Sequence, residues 1–138
     1  MGAWGDLSNA VKTALTGAGY VLATSPEPAE WPSWAIGASG APSWVAFTIA
    51  PDDSPSSAGN AMTRSTLTVR ALAGHPWSWQ ASEVAALDFA RAIRALFETA
   101  AGLSGVSAQF VFDSVSASEV GACYSVSVQL TVYQTDTY

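Results

Sequence analysis

Residues 122–134, ACYSVSVQLTVYQ, alternate with a period of two almost without interruption. Tyr124, Val126, Val128, Leu130 and Val132 share one face, and Ser125, Ser127, Gln129 and Thr131 share the other. A strand of that kind is half-buried: one face packs on a core and the other stays polar, which is the habit of antiparallel sheets. The chain must therefore build a sheet covered on one side. Two further stretches repeat the pattern. Trp44 to Ala50 places Val45, Phe47 and Ile49 on one face, and Arg64 to Leu72 turns Leu67, Val69 and Ala71 inward with Thr66, Thr68 and Arg70 outward. Val106 to Ser116 adds a strand with Phe110 and Phe112 on one face, and Tyr20 to Ala23 suits a short strand.

The cover for such a sheet comes from two stretches with helical spacing. Asp6 is placed to cap a helix to about Thr16, with Leu7, Val11, Ala14, Leu15 and Ala18 in register and Gly17 and Gly19 to stop it. Ser82 is placed to cap a second helix to about Ala101. Its apolar face holds Ala86, Phe89, Ala90, Ile93, Leu96, Phe97 and Ala100, opposite Glu83, Asp88, Arg91, Arg94 and Glu98, with Arg94 and Glu98 an i,i+4 pair. Val84 and Leu87 fall on the polar side, where they are either buried under the preceding loop or exposed for a partner. The expected fold is α+β in the order α-β-β-α-β-β, a four-stranded, mainly antiparallel sheet with helices packed on one face. At 138 residues it is a single domain, residues 1–138, with long loops at about 24–43 and 51–63.

Charge narrows the function. Only 12% of residues are charged, and the net charge is −6 with a single lysine, Lys12. A domain that grips DNA or RNA needs many cations for phosphates, so that class is excluded. No stretch reaches the ~18 apolar residues of a membrane span, and the start MGAWGD lacks the basic and apolar regions of a secretion signal. One cysteine, Cys123, forms no internal disulfide and reads as a buried, inert thiol.

The inventory for catalysis is thin. His75, the only histidine, lies in a Gly-His-Pro turn, away from any nucleophile pattern. The Gly37–Gly40 and Gly102–Gly105 turns do not match a nucleophile elbow. Asp113 and Glu119 read as polar residues flanking the last hairpin, and Asp52-Asp53 as a solvated loop. No catalytic, cofactor-binding or metal-binding residue is expected, and the protein reads as a non-enzyme. Trp31, Trp34, Trp77 and Trp79 stand in loops. They serve to pin loops to the core, to anchor a protein interface, or to stack a carbohydrate or other ligand.

The stretch Ser65 to Phe97, STLTVRALAGHPWSWQASEVAALDFARAIRALF, and the closing strand Ala122 to Gln134 carry a resemblance to a known family. With the proline-containing Pro26 to Ile36 segment before the first hairpin, the chain resembles the tail terminator and tail-completion (neck) proteins of long-tailed bacteriophages. The likeness is one of element order and covers most of the chain; the loop Asp52 to Ala61 has no counterpart in it.

The resemblance implies a structural virion protein of the tail and neck, assembled in the host cytoplasm. It would form a homo-oligomeric ring, a hexamer, that caps the tail tube and joins it to the head–tail connector or head-closure protein. DNA would pass through without specific binding, and no membrane would be involved. Trp77, Trp79, Val84, Leu87 and Arg91 are the candidates for a subunit interface, and Asp52 and Asp53 for loops lining the lumen. The alternatives are a neck, head-closure or minor tail protein of the same virion region, or a small carbohydrate- or ligand-binding module using loop tryptophans. An enzyme built on Asp52 or Asp53 with a distant partner is a further one.

Overall fold

A computed structural model describes residues 3–23, 31, 42–51, 62–74, 79–98, 108–120 and 123–135. The elements are α1 (Ala3–Gly17), β1 (Val21–Leu22), β2 (Trp44–Pro51), β3 (Met62–Ala73), α2 (Trp79–Phe97), β4 (Ala108–Val120) and β5 (Cys123–Thr135). The expected α+β class, with both helices against one face of the sheet, is what forms. The strand count differs: the sheet is five-stranded and mixed, in the order β1-β2-β3-β5-β4. The extra strand is the short stretch after α1. It lies parallel to β2, pairing Val21 with Trp44 and Leu22 with Val45, while every other pair is antiparallel. Two residues are too few to show a period, so the sequence hints at this strand without fixing its partner or direction.

The alternating strands behave as their pattern requires. Leu67, Val69 and Ala71 of β3 and Val126, Val128, Leu130 and Val132 of β5 are fully buried. They join Val45 of β2 and Phe110 of β4 in one core. Onto it α1 lays Leu7, Val11 and Leu15, and α2 lays Ala86, Phe89, Ala90, Ile93 and Phe97. Tyr20 meets Phe89 edge-on at 5.7 Å between ring centroids, and burial raises its hydroxyl pKa.

α1 ends where Gly19 adopts φ +99°, a conformation that costs L-residues with a Cβ. The Gly19 amide donates to the Thr16 carbonyl and the Tyr20 amide to that of Leu15, the reciprocal pair of a Schellman cap. Asp6 and Ser82 are not caps: α1 begins at Ala3 and α2 at Trp79, so both lie inside the first turn or so of their helices. Asp6 there still faces the positive end of the helix dipole.

Asp113 also stands elsewhere than expected. β4 runs on through it to Val120, with a bulge between Phe112 and Ser114 that leaves Asp113 as the extra residue. The bulge flips the parity of β4. Before it Phe110 and Phe112 face the helices; after it Val115 and Ala117 do, opposite Val128 and Val126.

Candidate interaction surface

Among the described residues five large apolar side chains are exposed: Val21 on β1 at the far edge of the sheet, two on α2 and two on β4. Val84 and Leu87 on α2 are each 56% exposed, and Val111 and Val115 on β4 are 41% and 38% exposed. Of the two outcomes open for Val84 and Leu87, exposure is the one that holds. Arg91 is exposed beside them. Trp79 is the first residue of α2. Trp77, Asp52 and Asp53 lie outside the described residues, as do His75 and Trp34.

The orientation of the α2 flank is set by a contact that joins α2 to β4. Glu98 accepts a hydrogen bond from the backbone amide of Phe112, and also from Arg94 Nε at 2.9 Å. The Arg94 guanidinium lies 5.0 Å from the centroid of the Phe112 ring, a cation–π distance. The Phe112 amide, followed by the Arg94 side chain, holds the Glu98 carboxyl below the usual carboxylate range. The i,i+4 spacing of Arg94 and Glu98 shows in the sequence. Phe112, 14 residues further on, gives no local sign of the contact.

The helix geometry then places the apolar pair. At about 100° per residue, Leu87 lies within about 20° of both Arg94 and Glu98 around the axis, and Arg91 and Val84 lie within about 40° of Glu98. The exposed apolar pair therefore sits on the flank of α2 that faces the β4 edge. Among the described residues β4 is the last strand on its side of the sheet, so part of its backbone has no strand partner there.

The opposite face of the sheet is less empty than its composition suggests. Trp31 is buried there against Ala46 and Leu72, with its ring 6.3 Å from that of Trp44. This tryptophan covers part of the outer face of the sheet. Elsewhere Thr66, Ser125, Ser127, Gln129 and Thr131 are half-buried among their neighbours, and Thr68 is buried. Ser114 Oγ donates to Gln129 Oε1 at 3.2 Å. Arg64 and Arg70 project on the same face, so it carries charge along β3.

Among the described residues no three His, Cys, Asp or Glu side chains converge as metal ligands would. No described helix is long and apolar enough to cross a membrane. Among the described residues, fold and surface define an α+β layer with both helices on one face and an exposed apolar helix flank beside an edge strand. The chain matches no protein-family model, and no curated protein is significantly similar to it.

Proposed function

We propose that the protein is a structural virion subunit, a tail terminator whose copies form a ring, a hexamer, on the end of a tail tube and join it to the head–tail connector. The observation that carries this reading is the α2 flank. Two large apolar side chains and an arginine stand in solvent on a helix whose other face is fully engaged in the core. Exposed apolar groups that cluster mark sites of association more often than isolated ones do. A closed ring needs two different patches on each subunit, and Val84, Leu87 and Arg91 supply one of them, with Trp77 and Trp79 beside it in sequence. The resemblance in element order supplies the tube and connector as partners, and the virion as the place. Asp52 and Asp53 line the lumen in this reading, where negative charge keeps DNA sliding without adhesion.

The test is assembly. Native mass measurement and electron microscopy of the purified protein with tail tubes should show a closed ring or a cap on the tube end. Leu87→Asp should abolish it while leaving the circular dichroism spectrum unchanged. A protein that stays off the tubes and shows sugar-dependent tryptophan fluorescence would overturn the reading in favour of the ligand-binding module. A cap on head connectors instead of tubes would favour a neck or head-closure protein.

A further inference from the structure

The β4 edge is guarded along only part of its length. Natural sheet edges are blunted by charges, bulges or covering groups, because free strand backbone templates pairing with another chain. At Phe112 the amide is occupied by Glu98, and at Asp113 a bulge and a carboxylate interrupt the strand. From Ser114 to Ala117 none of these devices is present among the described residues: the strand itself reads Ser, Val, Ser and Ala, all exposed. The stretch Ser114-Val115-Ser116-Ala117-Ser118 reads nearly the same in both directions. Paired antiparallel with a second copy about Ser116, it sets Val115 against Ala117 on the helix side and serine against serine on the other. Apolar meets apolar and hydroxyl meets hydroxyl.

The α2 flank shows the same symmetry independently. Glu83, Leu87 and Arg91 are exposed at i, i+4 and i+8. Two copies of this row, running antiparallel about Leu87, set each Glu83 against the other copy's Arg91. Counted along each element from the Glu98–Phe112 contact, the two centres lie at comparable distances. Leu87 lies about 16 Å along α2 from Glu98, and Ser116 lies about 10 Å along β4 from Phe112 once the bulge is discounted. Both are displaced toward the end where Ala73 pairs with Tyr124 and the chain leaves β3 for α2, so they agree to about one helical turn. α2 packs most heavily on β5. Edge pairing would thus separate the two α2 axes by three strand spacings, about 14 Å, which paired Arg and Glu side chains can span.

We propose that a second copy of this chain docks on the β4 edge through a two-fold axis at Ser116, joining the two sheets into one and bringing the two α2 flanks together. The occupant is another copy because the strand and the helix flank are each self-complementary, the latter in charge. The proposal does not rest on the ring. It claims the same α2 flank, so the dimer is the form of the free subunit and must part before a ring closes.

Two measurements on the full chain test it. On the two-fold axis a residue meets itself at a Cα separation of about 4.5–5.5 Å, inside the range a disulfide spans. Ser116→Cys should therefore give a covalent dimer under mild oxidation, whereas Thr48→Cys, exposed on β2 across the sheet, should not. In sedimentation, Glu83→Arg should weaken dimerisation roughly tenfold, since two symmetry-related surface pairs are lost. Glu83→Arg with Arg91→Glu should restore it. Failure of Ser116→Cys to cross-link above the Thr48→Cys control overturns the proposal, as does a double variant no better than the single. Cross-linking without caps on tubes supports the dimer and overturns the ring; rings without cross-linking do the reverse.

Discussion

Replacing Trp31 by alanine is the most direct test of how the sheet's outer face is covered. The side chain is 8% exposed and lies on Ala46 and Leu72 beside the Trp44 ring. A buried tryptophan removes about 200 Å² from water, and at about 25 cal/mol per Å² that is about 5 kcal/mol. A compact unfolded chain already hides part of this area, which lowers the figure to about 4 kcal/mol. The tilted pair with Trp44 adds about 1 kcal/mol. Alanine keeps some contact, and its segment can settle onto the sheet, so the net loss should be about 3 kcal/mol, the low end for Trp→Ala changes.

Against a total of about 5–15 kcal/mol for a domain, that loss is large. It should lower Tm by about 10 °C. Six tryptophans make fluorescence ambiguous, so urea unfolding should be followed by far-ultraviolet circular dichroism. Trp31→Phe should recover more than half of the loss. A Trp31→Ala midpoint within about 0.5 kcal/mol of the parent, the scatter of neutral surface changes, would refute the view that burial of this side chain on the sheet stabilises the fold.

Three further perturbations follow from single residues. Gly19→Ala should cost about 1 kcal/mol in denaturant unfolding, because the φ of +99° strains any Cβ although no atom stands within 4 Å of it. Ser65 is buried with no hydrogen-bond partner for its hydroxyl, so Ser65→Ala should hold stability or raise it by up to about 1 kcal/mol in the same assay. Glu98 has its carboxyl pKa lowered by the Phe112 amide and Arg94. Its support of the β4 edge is therefore full above the ordinary carboxylate pKa and fades as pH falls through the lower folded value. Glu98→Ala should reduce hydrogen-exchange protection of the Phe112 amide at neutral pH, and the difference from the parent should shrink on acidification.

What the sequence disclosed tracks the range of the forces involved. The burial of Val126, Val128, Leu130 and Val132 follows from a period of two, and that of Phe89, Ile93 and Phe97 from a period near 3.6, because each pattern repeats over several turns or pleats. β1 escapes the count because two residues carry no period, and its direction depends on Ser43 and Val45, to whose carbonyls Val21 and Ala23 donate. Asp113 reads as a turn residue because aspartate favours turns, yet the tertiary partner Gln129 holds Ser114 in register and leaves Asp113 as a bulge. Ser82 has the side chain of a cap, but two good helix formers, Gln80 and Ala81, stand directly before it, and the helix takes them in. On the surface, the positions of Val84 and Leu87 on the polar side of α2 were legible. That Arg94 and Glu98 turn the same flank toward Phe112 was not, since the contact spans the loop after α2.

The scarcity of charge takes on a different meaning once the two surfaces are compared. A neutral hydroxyl face costs less to desolvate than a charged one, which makes the outer sheet face a natural place to look for a partner. But part of it is covered at home: Ser114 bonds Gln129, Thr68 is buried, Trp31 covers Ala46 and Leu72, and β3 still contributes Arg64 and Arg70. Neutral composition alone therefore does not mark this face as a partner's. The helix side of the edge is the reverse. Leu87 and Val84 stand beside charged neighbours that could have replaced them at no cost to the core, and Val115 and Ala117 occupy an edge where a lysine would prevent pairing. Apolar groups kept where charge would be harmless to the fold point to association at the α2 flank and the β4 edge.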